Sequence, residues 1–431
     1  MRTRTTRTTV RSFAVVASVS FLLTGCSGAD TASSDSSGSA QPASESAAPA
    51  VRGDEDLIIW AEPDRVEYIQ QVADAFAEEN GISVGVQGIV NTRQDFITAN
   101  SASNGPDVLA GAHDWIGQLV QNGAVDPLQL SPDDLEAYSE TAVDASTYRD
   151  QLYALPYMVE SVALYCNTEY APDTYSSIED VIAASQSAVD DGTIDVPLVL
   201  QQGQLGDAYH MQPLFTSAGG YIFGRDAEGN YDPTDLGLNT PDSIAAAEKI
   251  ATLGEDETNT IRRSISSDNY LSLFTEGRAG CMVSGPWALP DVREALGEDY
   301  SIQPVPGFEG MQPAEPFMGS QGFMVASNGE NKAFAEEFVT NGINSEEAMQ
   351  TLFEASNQPP AMESVREGVT DEDVLMFATA ADEGAPMPAI PAMAEVFAPL
   401  GQAWSAIIGG ADPAETMNQT QETIANAIAS Q

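Results

Sequence analysis

The sequence predicts an α/β fold divided into two lobes. Near the start of the globular part, strand-like and helix-like segments alternate in the order β–α–β–α–β, which favours a parallel sheet with crossover helices. The globular part has about 380 residues, more than one ordinary domain contains, so two lobes are expected. Apolar residues make up 42% of the chain, which is enough for sizeable cores.

The elements of this first part follow from the spacing of apolar residues. A continuous apolar run predicts a strand buried on both faces, and alternation predicts a half-exposed strand. A recurrence every three to four residues predicts a helix, and the pair Asn80-Gly81 is a typical helix end. The predicted order is strand 57–60, helix 66–79, strand 82–86, helix around 96–101 and strand 108–110.

The rest of the chain continues in the same style. No internal repeat of 20–50 residues is present. The predicted elements are strands 162–166, 196–200 and 280–283, helices 178–188, 243–253 and 270–275, an α/β stretch over 320–365, and a helical tail over 391–429 that is interrupted at Gly409-Gly410.

The N-terminus has the pattern of a bacterial lipoprotein signal. Four arginines precede an apolar run at 13–23, which is about half the ~20 residues of a membrane-spanning helix and therefore predicts export. The run leads into Leu23-Thr24-Gly25-Cys26, which looks like a lipobox. We expect a signal peptide at 1–25, a diacylglycerol on Cys26 and a flexible tether over 26–53. The alternative is an ordinary signal peptide with a chance cysteine.

The charge of the chain excludes several partners. The net charge is −49, with the acidic residues scattered along the chain. Nucleic acid and anionic lipid surfaces both attract basic proteins, so neither is expected to bind. The simplest interpretation of this charge is a solvated, self-repelling surface that favours solubility. We expect a monomer that is attached to the membrane by the lipid on Cys26.

Two cysteines remain in the globular part. Cys166 and Cys281 both lie in predicted strands. Outside the cell they could form a disulfide or stay as two buried thiols, and the spacing in sequence does not decide between these alternatives.

The sequence contains few residues for catalytic or metal chemistry. It has no P-loop, no dinucleotide fingerprint, no HExxH and no G-x-S-x-G motif. His113 and His210 are the two histidines, which leaves little material for a catalytic triad or a zinc site. We expect His113 to be a packed residue, and we expect no cofactor and no metal.

Polar and aromatic residues instead follow the predicted strands. In open parallel sheets, ligands bind beyond the carboxyl ends of strands. Asp64 and Arg65 follow the first strand, and Asp114 and Trp115 follow the third. Charged groups for directional hydrogen bonds, combined with aromatic plates, are what the hydroxyls and C–H faces of a sugar require. Further candidates of the same kind are Glu160, Tyr209 and Trp287. The competing interpretation of an aspartate in a turn is a helix cap, and that of a tryptophan is a core residue.

Several longer stretches of the chain carry a family pattern, among them GPDVLAGAHD, LYALPYMVES, LFTEGRAGCMVSGPWA and MPAIPAM, of which GPDVLAGAHD and the GPWA turn are the most specific. With these stretches the chain resembles the maltose/maltodextrin-binding proteins of ABC importers, over about residues 57–428. The resemblance implies a periplasmic-binding-protein-like fold with two lobes, a hinge crossed three times and a ligand cleft between the lobes. It places lobe one at 54–160 plus 320–368 and lobe two at 161–319 plus 369–431.

The resemblance also implies a set of ligand-binding positions. In this chain, the family's arginine after the Ala-His-Asp motif is Trp115, its tryptophan before that motif is Gly111, and its late arginine is Gly401. An aromatic plate is thus expected to have moved by four residues. The implied ligand-binding residues are Glu62, Asp64, Arg65, Asp114, Trp115, Glu160, Asp207, Tyr209, Trp287 and Phe397.

The expected function is that of a passive receptor for a maltodextrin-like oligosaccharide, which delivers its ligand to the permease subunits of an ABC importer. Trehalose or another disaccharide is the alternative ligand. From another class, a secreted glycoside-acting enzyme could use two carboxylates such as Asp114 and Glu160. A metal or a peptide is a third possible ligand for this scaffold.

Overall fold

A computed structural model describes residues 51–226 and 230–430 of the chain. The predicted signal peptide, the lipidation site at Cys26 and nearly all of the predicted tether lie outside the described residues. Within the described part of the chain, no helix is both long enough and apolar enough to cross a membrane.

The strands belong to two main sheets and two hairpins. They are β1 (Leu57–Ala61), β2 (Val84–Gly88), β3 (Val108–Ala112), β4 (Val125–Asp126), β5 (Thr147–Tyr148), β6 (Gln151–Leu152), β7 (Leu155–Glu160), β8 (Ala163–Asn167), β9 (Val196–Val199), β10 (Phe223–Arg225), β11 (Tyr231–Leu236), β12 (Ala279–Ser284), β13 (Tyr300–Gln303), β14 (Phe317–Ala326) and β15 (Ala385–Pro386).

The α-helices connect and cover these strands. They are α1 (Val66–Asn80), α2 (Thr92–Ser101), α3 (Ile116–Gln121), α4 (Pro132–Leu135), α5 (Glu140–Ala145), α6 (Ile178–Asp190), α7 (Ala208–Ser217), α8 (Pro241–Ala251), α9 (Tyr270–Thr275), α10 (Leu289–Leu296), α11 (Lys332–Glu337), α12 (Glu346–Ser356), α13 (Glu363–Glu367), α14 (Glu372–Glu383), α15 (Phe397–Ile408) and α16 (Pro413–Ala429).

The first sheet contains the predicted parallel unit. Strand β1 pairs in parallel with both β2 and β3, which confirms the β–α–β–α–β prediction. Strand β14 then pairs antiparallel with β3 and β7, so the whole sheet is mixed. Alternate residues of β1 face two different apolar clusters: Ile59 packs on one side and Trp60 on the other. The continuous apolar run at 57–60 therefore reflects burial on both faces, as predicted.

The second sheet has the order β13-β8-β12-β9 and is also covered on both faces. Leu164 and Tyr165 of β8 belong to different apolar clusters. Strand β12 pairs antiparallel with β8, and in this register Cys281 lies directly opposite Cys166. The two cysteines form a disulfide, which decides between the alternatives that the sequence left open.

The two sheets define two lobes, called here lobe one for the first sheet and lobe two for the second. The chain passes from β7 to β8 and later from β13 to β14, which are its first two crossings between the sheets. The third lies between α13 and α15, because Val365 of α13 packs in the core of lobe one and Trp404 of α15 in that of lobe two. Helix α14 lies between them and contacts both cores. The hinge is thus crossed three times, as the resemblance implies.

The first residues of two helices differ from the predictions for local reasons. Helix α2 begins at Thr92 rather than near residue 96, because its first turn is polar and shows no apolar spacing. Helix α8 begins at Pro241, since the Thr240 side chain caps the helix by accepting a hydrogen bond from the Ser243 amide. By contrast, α1 ends where predicted, with Gly81 in the left-handed conformation at φ 65°.

Candidate functional site

A cavity of about 320 Å³ lies between the two lobes. The predicted site residues that line it are Glu62, Arg65, Asp114, Trp115, Glu160, Tyr209, Trp287 and Phe397. It is also lined by Arg93, Ala112, Gln321 and Met387, which the sequence did not suggest as ligand-binding residues. Both lobes therefore supply walls of the same cavity, and we call it the cleft.

The ends of strands deliver most of these side chains. Strand β1 leads through Glu62 into a 3₁₀ turn at Pro63–Arg65, and β3 leads into another at His113–Trp115. Glu160 is the last residue of β7, and a third 3₁₀ turn at Pro286–Ala288 follows β12. The expectation that the ligand site lies beyond the strand ends matches this arrangement.

Charged groups form a network at one side of the cleft. The Arg65 Nε donates a 2.9 Å hydrogen bond to a carboxylate oxygen of Glu62, and the Glu160 carboxylate lies 3.9 Å from Arg65 Nη2. The side-chain amide of Gln321 donates to Glu160 at 3.0 Å. The two glutamates are thus held in place, while their remaining lone pairs can accept hydrogen bonds from a ligand.

Asp114 lines the cleft with a buried carboxylate. Its side chain is 4% exposed, and the nearest cationic nitrogen, on Arg93, is 4.0 Å away. That separation is too long for a hydrogen bond. Burial therefore raises the pKa of Asp114 to about 7, with Arg93 opposing the change. Donors from a ligand would stabilise the ionised carboxylate.

The rings of Tyr209 and Trp287 line the cleft on the lobe-two side, and Phe317 supports Tyr209 from behind. The Tyr209 ring lies 6.3 Å from the Trp287 ring and stacks on Phe317 at 6.1 Å. The Trp287 Nε1 donates to the Tyr270 hydroxyl at 3.2 Å, which fixes the orientation of the indole.

Two buried polar atoms in the cleft have no hydrogen-bond partner among the described residues. They are the Tyr209 hydroxyl and the Gln321 Oε1. Burial also raises the pKa of Tyr209 well above its ordinary value, so its hydroxyl remains a donor. Leaving such groups unpaired costs about 1–3 kcal/mol each, which indicates that a ligand or water completes them.

Glycines make room for the aromatic plates. A Cβ atom built on Gly111 would overlap the ring of Trp115, and one built on Gly285 would overlap the ring of Trp287. The space above position 111 is thus filled by the ring from position 115. The departure from the family pattern at Gly111 therefore goes together with the aromatic residue at Trp115.

The comparison with known families assigns the chain. The family described as bacterial extracellular solute-binding protein matches residues 71–378. The chain belongs to this family.

Relatives of this solute-binding protein include several oligosaccharide receptors. The chain is 26% identical to the galactooligosaccharide-binding protein of Bacillus subtilis, over 95% of each chain. It is 25% identical to the maltodextrin-binding protein MdxE of the same organism, over 79% of this chain and 82% of the relative. The structure of Thermus thermophilus maltotriose binding protein bound with maltotriose superposes with a TM-score of 0.77 at 27% identity, and covers 86% of this chain and 100% of the other.

Two predicted site residues of the solute-binding protein lie outside the cleft. Asp64 lines an adjoining cavity of about 390 Å³, which shares Arg65, Glu160 and Trp287 with the cleft. Asp207 caps helix α7 instead, because its carboxylate accepts hydrogen bonds from the backbone amide and ring of His210, both at 2.9 Å. Asp207 is therefore a helix cap and is not among the described residues that line the cleft. Its role as a ligand-binding residue stays a prediction.

Gly401 has a packing role. Helix α15 approaches the loop at Gly206 so closely that a Cβ on Gly206 would overlap the Gly401 carbonyl. A side chain at position 401 would meet the backbone of that loop at 3.1–3.2 Å. An arginine at this position would require the backbone of that loop to move by a few tenths of an ångström.

His113 is a packed residue, as expected. Its Nδ1 accepts from the Ser320 amide at 3.0 Å, and its Nε2 lies 3.0 Å from the Met387 carbonyl. Burial lowers the pKa of His113 to about 4, so the ring is neutral near pH 7 and Nε2 is the donor. The ring thereby ties the turn after β3 to the segment that contains Met387.

Sequence reasoning missed three polar or flexible lining residues for different reasons. Met387 lies in the quoted motif MPAIPAM, so a signal for it existed. Arg93 is one of 16 basic residues in a strongly acidic chain, which is a weak signal. Gln321 enters the cleft because β14 pairs with β3 and β7, and no local pattern reveals that register.

Proposed function

We propose that this protein is the substrate-binding component of a carbohydrate ABC importer and that it binds a maltodextrin-like oligosaccharide in the cleft. One observation carries the proposal: rings from both lobes, and residues with unpaired polar atoms, line the same cavity. Trp115 of lobe one and Tyr209 of lobe two supply aromatic surface, and the Tyr209 hydroxyl and Gln321 Oε1 lack partners within residues 51–226 and 230–430.

The geometry suits a neutral sugar. Its C–H faces pack against the rings of Trp115, Tyr209 and Trp287. Its hydroxyls donate to the carboxylates of Glu160 and Asp114, which form strong charge-assisted hydrogen bonds. Because the walls come from both lobes, the ligand makes all of its contacts only when the lobes are closed. Lobe closure is then the signal that the permease subunits recognise.

The names of the relatives support two classes of oligosaccharide as candidate ligands. The maltodextrin class follows from the maltodextrin-binding relative and from the maltotriose-bound structure. A galacto-oligosaccharide is the second candidate, because the relative named for that ligand aligns over 95% of this chain. Trehalose remains the disaccharide alternative.

Isothermal titration calorimetry tests the proposed function. The purified chain is titrated with maltose, maltotriose, a β-linked galactotriose, trehalose and sucrose. We expect saturable binding of one or more of the trisaccharides. The absence of heat with every sugar, together with a thermal shift produced by peptides, would overturn the proposal in favour of a peptide receptor.

We also propose that binding is reversible and without turnover. Incubation with a nitrophenyl glucoside and with the tightest-binding oligosaccharide is expected to leave both intact. Release of nitrophenol that is lost in Glu160→Gln would instead support the glycoside-acting alternative.

For the location, we propose a monomer held at the outer face of the membrane by a lipid on Cys26. This tether would keep the receptor at high local concentration beside its permease. The proposed lobe boundaries remain 54–160 plus 320–368 and 161–319 plus 369–431. In cells, Cys26→Ala is expected to move the protein from the membrane fraction to the medium, and unchanged fractionation would contradict the anchor.

Ligand affinity is expected to fall as the pH decreases below 7. The pKa of Asp114 in the free protein is about 7, and hydroxyl donors from the ligand would lower it in the complex. Below pH 7 a proton must therefore leave before the ligand binds, with a limiting slope of about tenfold per pH unit. Titrations at several pH values measure the slope. The Asp114→Asn variant should bind weakly and without this slope, and an equal slope in both proteins would contradict the assignment.

Gly111→Ala is expected to weaken ligand binding about as much as Trp115→Ala does. The new methyl group displaces the Trp115 ring from the position it occupies above Gly111. Gly368→Ala is a suitable control, because its nearest neighbour to a new Cβ is 3.3 Å away and its backbone is not left-handed. Affinities are compared by calorimetry, and tight binding by Gly111→Ala would show that the ring position does not matter.

A further inference from the structure

Another cavity, of about 290 Å³, lies behind Tyr209 and is lined by Phe317, the ring on which Tyr209 stacks. We call it the rear cavity. Its walls are helix α7, the hairpin strands β10 and β11, and the segments 312–317 and 385–388. None of its lining residues is among the site residues suggested by the sequence.

The rear cavity presents aromatic surface. Phe223, Tyr231 and Phe317 all line it. The Tyr231 ring is held firmly, because its hydroxyl donates to the Pro386 carbonyl at 2.7 Å and the Arg225 guanidinium lies 4.1 Å from the ring centre. Rigid rings of this kind suit the apolar face of a flat polar ligand.

The side-chain amide of Gln212, which lines the rear cavity, has an oxygen without a hydrogen-bond donor among the described residues. The Gln212 side chain is 6% exposed, and its Oε1 is buried with no hydrogen-bond partner in the described part of the chain. A buried amide oxygen that accepts no hydrogen bond costs free energy. An O–H or N–H group of a molecule in the cavity would remove that cost by donating to it.

The rear cavity is separate from the cleft. Phe317 is 3% exposed and stacks on Tyr209, which lines the cleft, with an interplanar angle of 28°. The stacked pair stands between the two cavities. The cleft and the rear cavity share no lining residue, so a molecule in the rear cavity would bind separately from one in the cleft.

We propose that the rear cavity is a second carbohydrate site, which binds a single pyranose independently of the cleft. The C–H face of the sugar packs on Phe223 and Tyr231, and one hydroxyl donates to Gln212 Oε1. The choice of a sugar rather than another hydroxyl compound rests on the proposed function, since both sites face the same solution of carbohydrates.

Calorimetry and tryptophan fluorescence together test this proposal. Trp115 and Trp287 line the cleft, whereas none of the described residues that line the rear cavity is a tryptophan. Fluorescence therefore follows cleft binding, and calorimetry detects both binding events. The probes are the tightest-binding oligosaccharide and, with the cleft saturated by it, glucose or galactose. We expect heat from the monosaccharide without a change in fluorescence.

Two matched variants assign that heat. Gln212→Leu keeps the size of the side chain and removes the acceptor, so the monosaccharide Kd should rise at least tenfold with cleft affinity unchanged. Gln118→Leu is the control, because Gln118 on α3 also has a buried Oε1 without a described partner but does not line the rear cavity. Thermal unfolding verifies that both variants fold.

The outcomes separate the two proposals. If an oligosaccharide changes the fluorescence but the monosaccharide gives no additional heat, the rear site is overturned and the proposed function stands. The same conclusion follows if the monosaccharide heat persists in Gln212→Leu. Monosaccharide heat with no fluorescence response to any oligosaccharide would overturn the proposed function of the cleft while supporting the rear site.

Discussion

Trp287→Ala is expected to weaken oligosaccharide binding about 30-fold or more, which corresponds to about 2 kcal/mol. The indole is held in one orientation by its hydrogen bond to Tyr270 and by its close packing over Gly285. It lines both the cleft and the adjoining cavity, so its ring is available to a ligand without reorganisation. A preorganised aromatic surface loses little entropy on binding and therefore contributes strongly.

Calorimetry with the tightest-binding sugar measures this loss. Trp287→Phe is the matched variant, because it keeps an aromatic plate while removing the hydrogen bond to Tyr270. It should retain more affinity than Trp287→Ala. Unchanged affinity in Trp287→Ala, with a lowered melting temperature, would instead make Trp287 a packing residue of lobe two.

Loss of the Cys166–Cys281 disulfide is expected to lower the free energy of unfolding of lobe two by about 2–4 kcal/mol. The bond joins residues 115 positions apart, so it removes many conformations from the unfolded chain. It also links β8 to β12 in the centre of the second sheet. Strand β12 continues into the turn that carries Trp287, and the bond therefore supports one wall of the cleft.

Denaturant unfolding of the double variant Cys166→Ala/Cys281→Ala measures this effect. The wild-type protein unfolded with and without a thiol reductant provides the comparison, and the double variant should be insensitive to the reductant. Equal unfolding midpoints for wild type and double variant would contradict a stabilising bond.

The amino-acid sequence was sufficient for the elements and for the general position of the site. The apolar run at 57–60 and the left-handed position of Gly81 follow from local burial and backbone sterics. The polar residues after β1 and β3 were expected to lie together because parallel strands end at one edge of a sheet. Asp114 and Arg65 accordingly line the same cavity.

Individual side-chain roles depended on contacts between distant segments. Asp207 carries a carboxylate, which suits either a ligand-binding residue or a helix cap. Only the fold shows that this carboxylate accepts hydrogen bonds from His210. The pairing of Cys166 with Cys281 required the register of β8 against β12.

The sequence by itself thus determined the α/β class, the strand ends that carry the site and the aromatic and acidic character of that site, because these follow from local spacing. The tertiary structure alone decided that the Trp115 ring fills the space over Gly111, that Gln321 enters the cleft and that a stacked Tyr209–Phe317 pair divides two cavities. Those features arise where segments far apart in the chain meet, and their geometry is set by strand register and packing.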